Sequence, residues 1–337
     1  MYISVIITCF NLENYINTCI ESVINQNFDK CLYELIVVDD CSTDNSPSII
    51  NKYKNIKYIK TEKNSGVLLA TLKGLEASSY EIICFLDGDD VWHKEKLSKV
   101  YDKFRNDESL IFMTHNYNFI NENGKNIAGQ EKTQKIYLKN RNINQLIKNG
   151  ILYKKNYVWL GSAYSIKIYR QQLDEFSKWV KELPSPELTY QDWPLAFWVA
   201  LRLKGNFSYD FNSLFSYRVP SSNYGSDTST YEKLLKNHTK TCNTSHAIFQ
   251  LAQTYSTDSD LIKSTRSIYI KDELILRSYQ STKKITYLEI FKNINCFNTS
   301  RNNFKELIKI LILKIFGIQI FFNVKNIFKI IFNFKNI

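Results

Sequence analysis

No glycine occurs before Gly66, and the chain of 337 residues holds only 10 Gly and 5 Pro. The turn after the first apolar segment therefore cannot be the glycine-rich pyrophosphate cradle of a dinucleotide dehydrogenase, and a sugar-nucleotide pyrophosphorylase would also be expected to carry such a loop there. No Walker loop is present either. So few turn-forming residues also argue against a propeller or a turn-rich sandwich. The seven cysteines, at 9, 19, 31, 41, 84, 242 and 296, form no C-x-x-C pair. Their number is odd and the chain is too long to need stapling, so they read as core residues of a reducing compartment. Residues 2–10 are apolar but lack a basic flank, so no signal peptide is expected and the protein reads as cytoplasmic.

Aromatic and aliphatic residues are plentiful: 44% hydrophobic, with 22 Tyr and 21 Phe. That is enough for a sizeable core and too much for disorder. The formal charge is +11, and its placement is uneven. Seven basic residues and one acid lie beyond residue 300, so that segment carries +6. Those lysines sit among Ile, Leu and Phe, which favours a membrane surface over a nucleic-acid groove. No basic stripe with interleaved aromatics marks the rest of the chain, so nucleic acid is not expected as a partner.

The first hundred residues alternate between short β-branched runs and helical periodicity. Strands are expected at 3–8, 34–38, 56–60 and 81–86, and helices at 15–26, 44–53, 67–77 and 93–104. The second of these is uniformly apolar, as a strand covered on both faces should be, and the fourth is apolar too. Such alternation implies an α/β domain of parallel strands joined by right-handed crossovers. Further strands are expected at 110–119 and 206–217. A helix is expected at 192–203, with Asp192 as N-cap and Pro194 in its first turn. Composition changes after Arg218, and a boundary is placed near 228, giving a sheet domain at 1–228 and a helical extension at 229–337.

In open α/β sheets ligands sit beyond the carboxyl ends of the strands. Here those ends read Thr8-Cys9-Phe10-Asn11, Asp39-Asp40-Cys41-Ser42-Thr43-Asp44 and Asp87-Gly88-Asp89-Asp90. Adjacent carboxylates repel unless a cation compensates them, and such oxygens suit Mg²⁺ or Mn²⁺ held jointly with substrate phosphates. Asp44 reads as a cap for the following helix. Three acids in the four positions 87–90 exceed what a cap needs.

At this point the sequence resembles the family 2 glycosyltransferases over roughly residues 2–225. The motifs are Ser4–Asn11, Val37–Ser46, Asn64-Ser65-Gly66, Phe85–Trp92 and Gln191-Asp192-Trp193, in the family's order and spacing. The resemblance implies a GT-A fold: a Rossmann-like, mostly parallel sheet flanked by helices, here with a helical C-terminal extension. It implies transfer of a sugar from a nucleotide-sugar donor, most often a UDP-sugar, to an acceptor hydroxyl in surface polysaccharide or glycolipid synthesis. Thr8 and Phe10 would border the nucleobase beside Asn11, and Asp40 would hydrogen-bond the base edge. Asp87 would lie near the ribose, Asp89 would bind the Mn²⁺ or Mg²⁺, and Asp90 would support the site or contact the sugar. Asp192 would be the general base, its place at a helix N-terminus lowering its pKa. One base and in-line attack give inversion. Without the resemblance, a plain helix cap fits Asp192 equally well.

Two positions depart from the family pattern. Gln191 stands where Glu is frequent, and Thr71-Leu72 follow Ala70 where Arg-Asn is common; Lys73 is a candidate substitute for that Arg. Arg218 is expected to reach the diphosphate from a mobile loop, with 221–225 as a lid, or else to be a solvated Arg on a surface turn. Trp159–Ser162 border the sugar or serve packing. The four His show no metal-ligand spacing. In the tail, 304–337, Lys325, Asn326, Lys329, Asn333 and Asn336 fall on one side of a helix. This suits a helix lying on an anionic membrane, or one packed on protein. A nucleotidyltransferase and a catalytically silent sugar-nucleotide-binding or membrane scaffold are the competing readings.

Overall fold

The computed structural model describes residues 1–127, 143–144, 161–219, 230–280, 285–297, 307–308 and 310–311. Trp159, Leu160, the 221–225 segment, the boundary near 228 and all but four residues of the 304–337 tail lie outside the described residues. Apolar runs of four to seven residues become strands, and the segments of helical period between them cover the faces. The chain proceeds β1 (Ile3–Cys9), α1 (Ile16–Ile24), β2 (Tyr33–Asp39), α2 (Ser46–Ile50), β3 (Lys57–Lys60), α3 (Val67–Ala77) and β4 (Ile82–Asp87). There follow β5 (Val91–Trp92), α4 (Lys96–Asn106), β6 (Leu110–Ile120), β7 (Ser165–Lys167), α5 (Arg170–Lys181), α6 (Asp192–Arg202) and β8 (Asn206–Arg218). The sheet order is β3-β2-β1-β4-β7-β6-β8-β5.

Side chains alternate across this sheet, so two cores form. Val5, Ile7, Val37 and Leu86 meet Ile16, Ile20 and Val23 of α1 and Leu97 and Val100 of α4. On the other face Ile6, Ile36, Val38 and Phe85 meet α3, α5 and the almost wholly buried α6. Each such aliphatic side chain contributes about 1.5–3 kcal/mol through burial.

The sheet is more mixed than the alternation suggested. β1 runs parallel to β2 and β4, and β6 to β8, but β7 is antiparallel to both β4 and β6, and β5 is antiparallel to β8. After β8, α7 (Tyr231–Tyr255) and α8 (Ser259–Tyr279) pack on one another, followed by α9 (Tyr287–Lys292). Ala247, Leu251 and Ala252 of α7 join the core beneath α6, while Leu274, Ile275 and Tyr279 build a separate cluster with Leu234. The extension is thus fused to the sheet domain at one end and self-packed at the other. Among the described residues no helix is long and apolar enough to cross a membrane.

Candidate active site

Parallel register sets Thr8 beside both Val38 and Asp87, and Cys9 beside Asp39, so three strand tips end level. The backbone N–H of Gly88 donates to the Thr8 carbonyl at 3.0 Å. A Cβ at position 88 would stand 2.7 Å from that oxygen, so only glycine allows this approach. The loops after β1 and β2 are clipped together. Asn11 N–H donates to Ser42 Oγ, Thr43 N–H donates to Asn11 Oδ1, and Glu13 N–H donates to Asp44. Asn11 and Cys41 take φ of +55° and +63° to make these turns. Phe10, 40% exposed, projects from the clip above the half-buried Thr8. Asn45, not Asp44, is the N-cap of α2, but Asp44 accepts from Ser46 N–H from one residue further out and steadies the start of the helix.

Two acids of the β2 tip face inward. Asp39 is fully buried and accepts from Ser42 N–H and the Tyr58 hydroxyl. Asp40 was expected at the base edge, yet its oxygens are committed to the β3–α3 loop. Oδ1 accepts from Ser65 N–H and hydroxyl at 2.8 and 2.6 Å, with the Thr61 hydroxyl 3.0 Å away, and Oδ2 accepts from Gly66 N–H at 2.7 Å. The carboxylate therefore shapes the loop. Gly66, at φ +86°, lies so close to residue 187 that a Cβ would fall 2.1 Å from the Glu187 carbonyl oxygen. Asp40 and Gly66 thus set the position of the segment leading to Asp192.

The remaining acids converge. Gln191 Nε2 donates to Asp87 Oδ1 at 3.1 Å, while the Thr71 hydroxyl donates to Gln191 Oε1, which fixes the amide orientation. The two positions that depart from the family pattern are therefore partners, and Lys73 is exposed beside them. Ser162, flagged with packing as its alternative, donates to Asp90 Oδ2 at 2.5 Å and accepts from Asp87 N–H at 2.9 Å. Asp90 is 1% exposed and its other oxygen accepts from Arg218 N–H. It holds the site together from beneath.

Arg218 closes β8 and is 4% exposed, in place of the expected mobile loop or solvated surface turn. Its guanidinium donates to the carbonyls of Asp89, Asn121 and Glu122 and lies 4.7 Å from the Tyr15 ring. Donation to these three carbonyls, from two separate loops, holds the guanidinium inside. Asp192 is the first residue of α6, with Gln191 as the cap, and its Oδ1 accepts from Trp193 N–H.

Burial together with mutual repulsion governs the charges. Burial, then the charges of Asp89 and Asp192, push the Asp87 carboxyl from 3.8 to about 7, against the pull of Gln191 and Ser162. Burial raises Asp89, opposed by Arg218, and raises Asp90 further, with Asp89 and Asp87 adding to it. Asp192 is raised by burial as well. The lowering expected from its helix N-terminus is outweighed, because desolvation of the carboxylate exceeds the help of a few N–H dipoles. The sign for stability follows. Between about pH 4 and 7 the folded protein holds protons on these acids that the unfolded chain has released, so the cluster's contribution to stability is fully present below about pH 4 and is lost towards 7. Urea titration of the metal-free protein should show this decline, and Asp87→Asn should flatten it; an unchanged slope would contradict the cluster.

Such uncompensated acids suit a divalent cation. Among the described residues no group of three or more His, Cys, Asp or Glu side chains could hold a metal ion; an ion held by one or two of these carboxylates would need phosphate oxygens to complete its shell. The histidines are occupied otherwise. His93 bonds Ser213 and Ser216, His115 is buried against Lys96, and His238 and His246 stack on Tyr279 and Tyr269.

The region 4–167 matches the sequence model described as glycosyl transferase family 2. The chain is 30% identical over 234 residues to TuaG of Bacillus subtilis, whose name places it in teichuronic acid biosynthesis as a glycosyltransferase; the match takes in 67% of this chain and 82% of TuaG. It is 36% identical over 126 residues to the Staphylococcus aureus poly(ribitol-phosphate) beta-N-acetylglucosaminyltransferase TarS, or 34% of this chain and 21% of that one. The corresponding figures for the minor teichoic acid biosynthesis protein GgaA of B. subtilis are 43% over 115 residues, 32% and 26%. The chain thus spans most of TuaG but under a third of the other two. The crystal structure of S. aureus TarS 1-349 in complex with UDP-GlcNAc superposes with a TM-score of 0.53 at 19% identity, over 91% of this chain and 82% of that one. It shares the GT-A fold and the helical extension.

Proposed function

We propose a reaction from one premise: the chain belongs to glycosyl transferase family 2. In this reading a UDP-sugar is the donor, and the acceptor is a hydroxyl of a bacterial surface polymer or glycolipid. The observation that carries it is the convergence of the head of α6 on the β4 tip: Gln191, the chain neighbour of Asp192, donates to Asp87, and the charge of Asp192 itself raises the Asp87 carboxyl. Asp192 takes the acceptor's proton as its oxygen attacks the anomeric carbon, and the bond to the diphosphate breaks with its electron pair leaving on UDP. A single displacement inverts the anomeric centre. Burial strengthens Asp192 as a base. Thr8 and the exposed Phe10 border the base, Asn11 and Asp40 shape the loops around it, and Asp87 lies near the ribose. Asp90 and Arg218 brace this floor. Mn²⁺ or Mg²⁺, held by Asp89 and the diphosphate, would supply Lewis-acid neutralisation of the leaving group.

Melting temperatures across a panel of nucleotides and UDP-sugars, with and without Mn²⁺, test this. A ligand at 100 times its Kd adds about 2.7 kcal/mol, roughly 4 °C here. UDP compounds should shift the wild type only with Mn²⁺, and Asp89→Ala should abolish the shift. No response to any nucleotide would remove the donor site. The same reading places the transferase at 1–228, the extension at 229–337, and the basic tail 304–337 on the anionic inner face of the cell membrane. Truncation after residue 303 with undiminished partition to anionic vesicles would refute the last point.

A further inference from the structure

Beyond the acids, the structure holds a cation without a counterion against Tyr190, two residues before Asp192. Helix α7 is fixed over the segment that precedes this acid: Tyr190 N–H donates to Thr244 Oγ1 at 3.0 Å, and Asn243 Nδ2 donates to the Leu188 carbonyl at 3.0 Å. One turn before Thr244 on the same face stands Lys240, and one turn earlier Lys236. The Lys240 ammonium lies 5.5 Å from the centre of the Tyr190 ring. Lys240 is half-buried and Lys236 exposed. Among the described residues neither makes an ion pair, and Glu187, on the covered segment, pairs with neither. Burial, then the Lys236 charge, lowers the Lys240 ammonium below its usual range. A half-buried ammonium beside a second one is an arrangement that an incoming anion would relieve.

We infer that Lys236 and Lys240 bind an anionic group carried by the acceptor polymer, with Tyr190 between this site and the hydroxyl presented to Asp192. The inference rests on the transferase reading for its geometry. It assigns the helical extension a substrate-binding role and makes a chain of regularly spaced phosphates or carboxylates the preferred acceptor over a neutral glycan.

The probe is fluorescently labelled poly(ribitol phosphate), with polygalacturonate and neutral dextran as comparison arms, read by anisotropy. Lys236→Gln/Lys240→Gln should weaken binding of the phosphate polymer at least about tenfold and flatten its salt dependence. Lys236→Arg/Lys240→Arg should keep both. Polygalacturonate responding in parallel widens the anion to carboxylates, and responding not at all confines it to phosphate. Equal binding by wild type and the Gln pair, tighter binding of dextran, or no polyanion binding would overturn the inference. The UDP-induced melting shift separates the two readings. If it persists while the Gln pair binds normally, only the anion site falls. If it is missing while the lysines still govern polymer affinity, the transferase reading falls.

Discussion

Asp192→Asn is expected to reduce kcat by about 10²–10⁴-fold, the usual worth of a positioned general base, with UDP-dependent stabilisation unchanged. Asn keeps the size of the side chain, its place at the head of α6 and an oxygen for Trp193 N–H, but it has no proton affinity near neutral pH. Two further results separate catalysis from structure. Asp192 is one of the charges that raise Asp87, so the Asn variant should melt no lower than the wild type at pH 7, where a purely capping Asp would leave a weaker helix. KM for the donor should also stay level. A variant within threefold of wild-type kcat would show that another group takes the proton.

Gly66→Ala carries the largest expected effect on stability. Its φ of +86° strains any other residue, and the added methyl group would lie 2.1 Å from a backbone oxygen that has no rotamer to escape into. These effects together cost about 2–4 kcal/mol, a fall of roughly 3–6 °C in Tm for a chain of this size. Turnover should fall further than Tm suggests, because the displaced backbone at 187 leads within five residues to Asp192. Ser65→Ala is the control. It removes one hydrogen bond to Asp40 without backbone strain and should cost about 1 kcal/mol. Thermal unfolding of both variants measures the contrast, and a Gly66→Ala protein that melts like the wild type would mean that the two segments do not touch.

Much of this was legible in the residue order, for reasons that also mark its limits. The buried strands β1, β2 and β4 are dominated by apolar residues, and acids stand at the ends of β2 and β4, so those tips and their chemistry can be read together. β5 and β7 span two and three residues, shorter than any period, and nothing in Val91-Trp92 or Ser165–Lys167 announces an antiparallel partner. The helix before Ser46 was drawn too long because Asp44 reaches Ser46 N–H through a turn. Motif points Asp40 outward and a place after a strand points Arg218 outward, but neither discloses competition from local donors and acceptors: Ser65 and Gly66 for the one, three carbonyls for the other. The direction of the Asp192 shift was misread for a similar reason, since the dipole is visible in sequence and the depth of burial is not. That Thr71 and Gln191 depart from the family pattern was visible; that they depart as a pair was not.

The bond between Asp90 and Arg218 spans 128 residues of chain, and this has a bearing on how the protein is made. At about 5–20 residues per second, the ribosome delivers the acidic tip of β4 some 6–25 s before the strand that seals it. Throughout that interval Asp89 and Asp90 lack their only nearby guanidinium among the described residues, β5 has no partner, and Trp92 has no finished core to enter. The nascent chain therefore passes through a stage in which a complete parallel half-sheet carries an open, mutually repelling cluster of acids. On the proposed function, a divalent ion held by Asp89 would favour compaction at that stage, so yield of folded protein, and not only its turnover, should respond to it.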